Sequence, residues 1–343
     1  MRENVAWIFR GGDRIPTSHR DPFLYLEACR VQVDDGRVVY WPSRRGTEKQ
    51  YAFNIPALNT AVLLLGPGCS ISSDAVELLC AANVVVGFTG SGSTPLQGGI
   101  DSGEPHFLSG ASEYRPTQYM QRWVSLWMDE KRRLAAAQSL LIRRNTELES
   151  IWKTRAMQPY LESVSPQNIL ASLFRFGGSA SSASPRGLRG GALRTNGEHL
   201  FAQKVRESQD EATLLGLEGA RVKKLYQQFQ VAHGIAFERD TSERRGVNGK
   251  LTMGNYIAYG LAASALYTLG ISFAFPLLHG KTRRGGLVFD VADILKDAVV
   301  VPMAFALRDE DDAEFRRAVK TVLMDIEGLR RLIEIVVELS ECS

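Results

Sequence analysis

Apolar positions in the first third of the chain recur with the period of strands. In "FLYLEACRVQVDDGRVVYW", residues 23–41, β-branched and aromatic residues alternate with polar ones on both sides of Asp34-Asp35-Gly36, which predicts a hairpin. "YAFNIP" and "AVLLLG" follow as further short strands. "SSDAVELLCAAN" then predicts a short helix with serine and aspartate as cap candidates, leading into a buried strand, "VVVGFTG".

After the Gly/Ser/Thr-rich "TGSGSTPLQGG" the period changes, and from Ser112 helix formers dominate. "RPTQYMQRWVSLWMDEKRRLAAAQSLLIRRNTELESIW" predicts a long helical stretch with Pro116 near its start and Thr117 as its cap. Trp123 and Trp127 share one face there, as core or dimer-packing residues. The tract Phe176–Gly197, rich in glycine, serine and arginine, can bury little surface; it predicts a flexible loop, either a plain linker or a phosphate contact. Three helical segments follow: "EATLLGLEGARVKKLYQQFQ", "MGNYIAYGLAASALYTLGI" and a terminal helix over Ala313–Leu339. Gly260, Ala262, Ala263, Ser264 and Ala265 permit close approach of neighbours, which places the second of these at the centre. The fold class expected is α+β, with a small β-rich domain over residues 1–110 and a larger all-α domain over 111–343 that carries the 176–197 loop.

Composition agrees with two folded domains: of 343 residues, 44% are hydrophobic and 23% charged, which excludes a wholly disordered or fibrous chain. No apolar run approaches the ~18 residues of a membrane helix, and the first twenty residues lack a secretory signal, so a cytoplasmic protein with no membrane partner is expected. Cys29, Cys69, Cys80 and Cys342 are scattered with no C-x-x-C pair and are expected to be reduced thiols. Charge changes the picture more. The net +3 divides into −2 over residues 1–110, +8 over 111–250 and −3 over 251–343, and a basic middle favours a polyanionic partner.

Two familiar chemistries are excluded. Gly66-Pro67-Gly68 imitates a dinucleotide-binding turn, but Ile71 stands where the third glycine belongs and no βα repeats follow, so it predicts a tight turn. "TGSGST" does not supply a nucleophile elbow. The remaining chemistry collects in "FPLLHGKTRRGGLVFDVADILKDAVV", residues 275–300. Asp290 and Asp293 lie on one helix face, which Asp297 extends. Asp290 could cap that helix with Asp293 as an acid of its first turn. His279 beside them instead suits an imidazole and carboxylate set for Mg²⁺ or Mn²⁺, with Lys281, Arg283 and Arg284 placed to hold phosphate. Glu218, on the apolar face of "LLGLEGARVKKLYQQF", is the candidate third ligand, since a glutamate among leucines must be paired or metal-bound. Arg221, Lys223 and Lys224 follow one turn later as further phosphate candidates. Residue types and spacing leave the capping and the metal readings both open.

At these residues the chain resembles the CRISPR-associated integrase family, in its type I-F branch. "LHGKTRRGGLVFDVADILKD" is similar almost word for word to that branch's histidine-to-aspartate segment, "GNYIAYGLAA" to its central helix and "SEYRPTQYMQRWV" to the opening helix of its helical domain; "NIP" and "LLLGPGCSIS" fit its β-rich start. The resemblance implies a metal-dependent DNA endonuclease and integrase, dimerised through the N-terminal domain, with catalysis in the helical one. It places the metal ligands at Glu218, His279 and Asp293, with Asp290 as the neighbouring catalytic acid. The implied partners are double-stranded and branched DNA, a second copy of the chain, and a second adaptation subunit fused to the CRISPR helicase-nuclease. Met253 departs from the family, where a histidine is expected. Two other functions fit the same residues: a structure-selective nuclease on branched DNA, and a DNA-binding scaffold whose acidic cluster is structural.

Overall fold

The computed structural model describes residues 24–43, 52–88, 106–108, 117–174, 192–280 and 285–341, the side chains of 106, 174 and 192–199 excepted. In chain order the elements are β1 (Leu24–Leu26), β2 (Cys29–Asp34), β3 (Arg37–Pro42), β4 (Phe53–Asn54), β5 (Val62–Leu65), β6 (Ser70–Ile71), α1 (Ser73–Ala81), β7 (Val85–Phe88) and β8 (His106–Leu108). The helices that follow are α2 (Gln118–Met128), α3 (Glu130–Trp152), α4 (Pro166–Phe174), α5 (Ala192–Glu207), α6 (Glu211–His233), α7 (Gly246–Thr268), α8 (Gly286–Leu295), α9 (Val301–Ala306), α10 (Asp312–Asp325) and α11 (Gly328–Ser340). The described residues fall into two compact units divided after Gly87, with Phe107 and Leu108 returning to the first. The expected boundary at 110 lies outside the described residues.

The first unit holds two four-stranded sheets, ordered β1-β5-β7-β8 and β4-β3-β2-β6. The predicted hairpin is there: Asp34 pairs with Arg37, and Asp35 and Gly36 between them both have positive φ, as a tight two-residue turn requires. β5 is buried along its whole length. The Ser72 hydroxyl caps α1 by accepting from the Ala75 amide. Gly68, at φ +74°, turns the chain between β5 and β6, as the tight-turn reading of Gly66-Pro67-Gly68 expects. Cys29, Cys69 and Cys80 are free thiols, and burial, with Cys69 beside it, pushes the Cys29 thiol up to about 12.

The second unit is helical, and four sequence expectations need correcting there. The long stretch after Thr117 is two helices, because Asp129 leaves the helical conformation and accepts from the Lys131 and Arg132 amides, capping α3. Thr117 precedes α2 without a capping bond from its side chain. The terminal helix is likewise two, broken at Glu327, whose φ is +55°. The last residues of the glycine-rich tract, from Ala192, belong to α5; residues 176–191 lie outside the described residues.

α7 is the centre, buried continuously from Ile257 to Leu266 apart from Tyr259, and it packs on α8, α9, α10 and α11. Gly254 lets it approach Val300, whose methyls would collide with a side chain at that position. Val300 ends a π-helical turn, Lys296–Val300, that joins α8 to α9. The cause is Pro302, which has no amide to give the Ala298 carbonyl four residues before it and whose ring crowds that oxygen. The Trp152 indole takes the orphaned carbonyl at 2.9 Å. Trp123 and Trp127, one buried and one half-buried on α2, donate to the Phe275 and Pro276 carbonyls at 3.1 and 2.8 Å, holding the segment that leads to His279.

Gly254→Ala is expected to destabilise the protein by about 1–3 kcal/mol, because the β-branched Val300 cannot yield without shifting the π turn. Urea unfolding measures it, and a change below about 0.5 kcal/mol would show that α7 and the turn separate freely.

Candidate metal centre

On α6 the buried positions Leu214, Glu218, Arg221, Leu225 and Phe229 form one stripe, so two charged residues occupy core positions of an amphipathic helix. α3 has a matching stripe, in which Arg144 lies between Leu140 and Leu148. α8 is buried nearly all round and carries Asp290 and Asp293 inward, with Asp297 following in the π turn. Four carboxylates and two guanidinium groups therefore meet inside the helical unit.

Their bonds account for that burial. The Arg144 guanidinium is shared by Glu218, by Asp293 at 3.5 Å and by Asp297 at 2.8 Å. Arg221 donates to Asp297 and to the Asn145 side-chain oxygen, both at 2.5 Å. Lys296 pairs with Asp293 and lies 5.6 Å from the centre of the Tyr259 ring. Burial opposes ionisation of Asp293, but Lys296, Arg144 and His279 outweigh it and hold that carboxyl far below the usual range. Burial likewise works against the charged forms of Lys296 and Arg144, and their carboxylate neighbours prevail, raising both.

Asp290 does not cap its helix. α8 begins four residues earlier, at Gly286, and the Asp290 carboxylate faces the incoming loop instead. It accepts from the Leu277, Leu278 and His279 amides at 2.6, 3.2 and 3.1 Å, and His279 Nδ1 lies 2.8 Å from it. A proton on Nδ1 donated to Asp290 leaves Nε2 as the free donor atom, 3.8 Å from Asp293. Glu218, His279 and Asp293 each bring one ligand atom to a common point, all within 4.8 Å of one another. Two carboxylate oxygens and one imidazole nitrogen are a donor set for a hard divalent cation, so the residues fit Mg²⁺ or Mn²⁺.

Arg221 is corrected from the phosphate candidates, since it is 2% exposed and committed to Asp297 and Asn145. Lys223 is exposed and Lys224 half-buried. Lys281, Arg283 and Arg284 lie outside the described residues. Asp297 is a core ion-pair partner of Arg144 and Arg221. Sequence reasoning passed over Arg144, Lys296 and Tyr226. Tyr226 is half-buried by exposed area, yet removal from water raises its hydroxyl, and it lines a cavity of about 370 Å³ with Gly219, Lys223, Phe237 and Arg239.

A family model described as CRISPR associated protein Cas1 matches residues 188–338. The chain is 37% identical over 325 residues to the CRISPR-associated endonuclease Cas1 of Pectobacterium atrosepticum, covering 92% of this chain and 91% of that protein. It is 36% identical over 334 residues to the protein of the same description from Pseudomonas aeruginosa, covering 95% and 94%. Two solved structures share the fold: a CAS1 protein from Thermotoga maritima, with TM-score 0.61 at 13% identity over 92% of this chain and 94% of that one, and a casposase bound to its integration product, with TM-score 0.61 at 12% identity over 94% and 91%. The chain belongs to the Cas1 family of CRISPR-associated proteins. The β-rich start followed by a larger helical region is that family's fold, and no helix among the described residues is long and apolar enough to cross a membrane.

Without a cation, His279 is expected to titrate above its ordinary 6.5: burial favours the neutral ring, but the hydrogen bond to Asp290 and the charges of Asp293, Asp290 and Glu218 outweigh it. A raised folded value means that the protonated ring stabilises the fold below pH about 6.5, a contribution lost as pH rises through the folded value. Histidine NMR titration of the cation-free protein checks this, and Asp290→Asn should lower the midpoint.

Proposed function

We propose that the chain is a divalent-metal-dependent DNA endonuclease and integrase of CRISPR adaptation. The observation that carries this reading is the convergence of Glu218, His279 and Asp293 on one point inside the helical unit. The relatives from Pectobacterium atrosepticum and Pseudomonas aeruginosa are described as endonucleases, and the structural neighbours include a Cas1–DNA complex, which supports DNA as the substrate.

The reaction is phosphoryl transfer at a repeat edge. A DNA 3′-hydroxyl attacks a phosphodiester, forming one P–O bond as another breaks; the attacking hydroxyl loses its proton and the departing oxygen gains one. Glu218, His279 and Asp293 would hold Mg²⁺ or Mn²⁺, which when bound would supply Lewis acidity toward the phosphate. Asp290 fixes the His279 ring and its tautomer and thereby presents Nε2. With Nδ1 given to Asp290, His279 serves as a ligand and not as the acid of the same step. The exposed Lys223, with Lys281, Arg283 and Arg284, positions the DNA backbone without reading its sequence. The working assembly in this reading is a homodimer, formed through the β-rich unit and joined to a second adaptation subunit fused to the CRISPR helicase-nuclease. Replacing the hydroxyl by water gives hydrolysis from the same residues, so cutting of branched DNA accompanies joining.

Asp293→Ala and Glu218→Ala, like chelation of the native chain, are expected to abolish strand transfer in Mn²⁺, while Asp290→Asn is expected to cost about 10–100-fold through the misaligned histidine. A gel that separates joined from shortened DNA is the readout. Shortened products alone from the native chain would leave a nuclease, and unchanged joining by Asp293→Ala would remove the metal site from the reaction.

A further inference from the structure

The two cations that sit on the ligand carboxylates are not equivalent. Arg144 is 3% exposed and is shared by Glu218, Asp293 and Asp297, so it cannot leave without stranding buried charge. Among the described residues Lys296 has one carboxylate partner, Asp293, and 21% of its side chain is open to solvent. Its charge is a compact ammonium on a flexible stem, which can swing away as a buried guanidinium cannot.

The charge balance of the cluster points the same way. Among the described residues, Glu218, Asp290, Asp293 and Asp297 are four carboxylates, set against the three cations Arg144, Arg221 and Lys296. With His279 neutral, the form in which it can serve as a ligand, these groups carry one negative charge, which a divalent ion would overcompensate. Withdrawal of Lys296 makes it two negative charges, which a divalent ion neutralises. The withdrawal also frees an Asp293 oxygen that the ammonium now holds.

We propose that Lys296 is a resident counter-ion of the cation site, occupying Asp293 until a divalent ion takes that carboxylate and the ammonium leaves it. This rests on the reading of Glu218, His279 and Asp293 as ligands. It makes cation affinity weak in the DNA-free protein. It also couples cation and DNA binding, because a nearby phosphate offers the displaced ammonium a new partner and so favours the exchange; by linkage the effect is reciprocal.

The test is Mn²⁺ binding to the full chain without DNA, followed by calorimetry and by the paramagnetic signal of free Mn²⁺. Lys296→Gln should bind at least about tenfold more tightly than the native protein, and Lys296→Arg, which keeps the competing charge, should stay near it. Equal or weaker binding by Lys296→Gln overturns the proposal; a merely structural lysine would lower stability without tightening binding. In the native protein, labelling of Lys296 by an amine reagent, read by mass spectrometry, should rise when Mg²⁺ is added. This second measurement needs no variant to fold, and unchanged or reduced labelling overturns the proposal as well. Binding that ignores Glu218→Gln would overturn the ligand reading and the proposal with it. Binding that depends on Glu218 but is indifferent to Lys296 overturns the proposal alone.

Discussion

One guanidinium, that of Arg144, ties the site to the fold. Three carboxylates gathered in a helical core would repel one another and lose their hydration with nothing in return. Arg144 reaches them from α3 and answers all three, drawing Glu218 of α6, Asp293 of α8 and Asp297 of the π turn to one centre. Arg221 and Asn145 brace the far side of Asp297. The arrangement is a poor way to gain stability, since an apolar core of equal volume does as well. What it provides is position: the Glu218 and Asp293 carboxylates are held in convergence by a group that stays in place, so that of their cationic partners only Lys296 would have to move in the proposed exchange.

The histidine is delivered by a different device. It sits on a loop, and loops by themselves place side chains loosely. Here the loop is gripped from both sides. Two indoles hold the carbonyls of Phe275 and Pro276, and one buried carboxylate collects three successive amides before turning His279. Asp290 thus treats the loop as a helix end is usually treated, by accepting from amides that no backbone carbonyl satisfies. The tryptophans, legible as an apolar pair four residues apart, also give this loop its fixed points.

Much of this could be read from the chain, and the misses share a cause. The hairpin at Asp34–Gly36, the capped α1 and the central α7 follow from local periods and turn chemistry. Glu218 stood out because a carboxylate on an apolar stripe needs a partner. The same test, applied to the cations, finds Arg144 between Leu140 and Leu148, and Arg221 between Leu214 and Leu225. In sequence Arg221 stands with its basic neighbours Lys223 and Lys224, a run of charge that hides which member faces inward. Lys296 offered no such signal, since its role depends on a bond to Asp293 that only the folded helix makes. The breaks at Asp129 and Glu327 were missed because neither interrupts the helical period.

Pro302 is a further signal in the sequence, since a proline within a helical run removes an amide and crowds the carbonyl four residues before it. Its effect is one of phase. An α-helix advances about 100° per residue, so in an unbroken helix the face that carries Asp290 and Asp293 would also dictate which residues of α9 meet α7. The π turn inserts a rotation between them, with the Trp152 indole closing the gap in the hydrogen-bond ladder. The turn therefore fixes the rotation between the segment that carries the carboxylates and the segment that packs through α9 on α6 and α7, so that one continuous stretch of chain meets both demands.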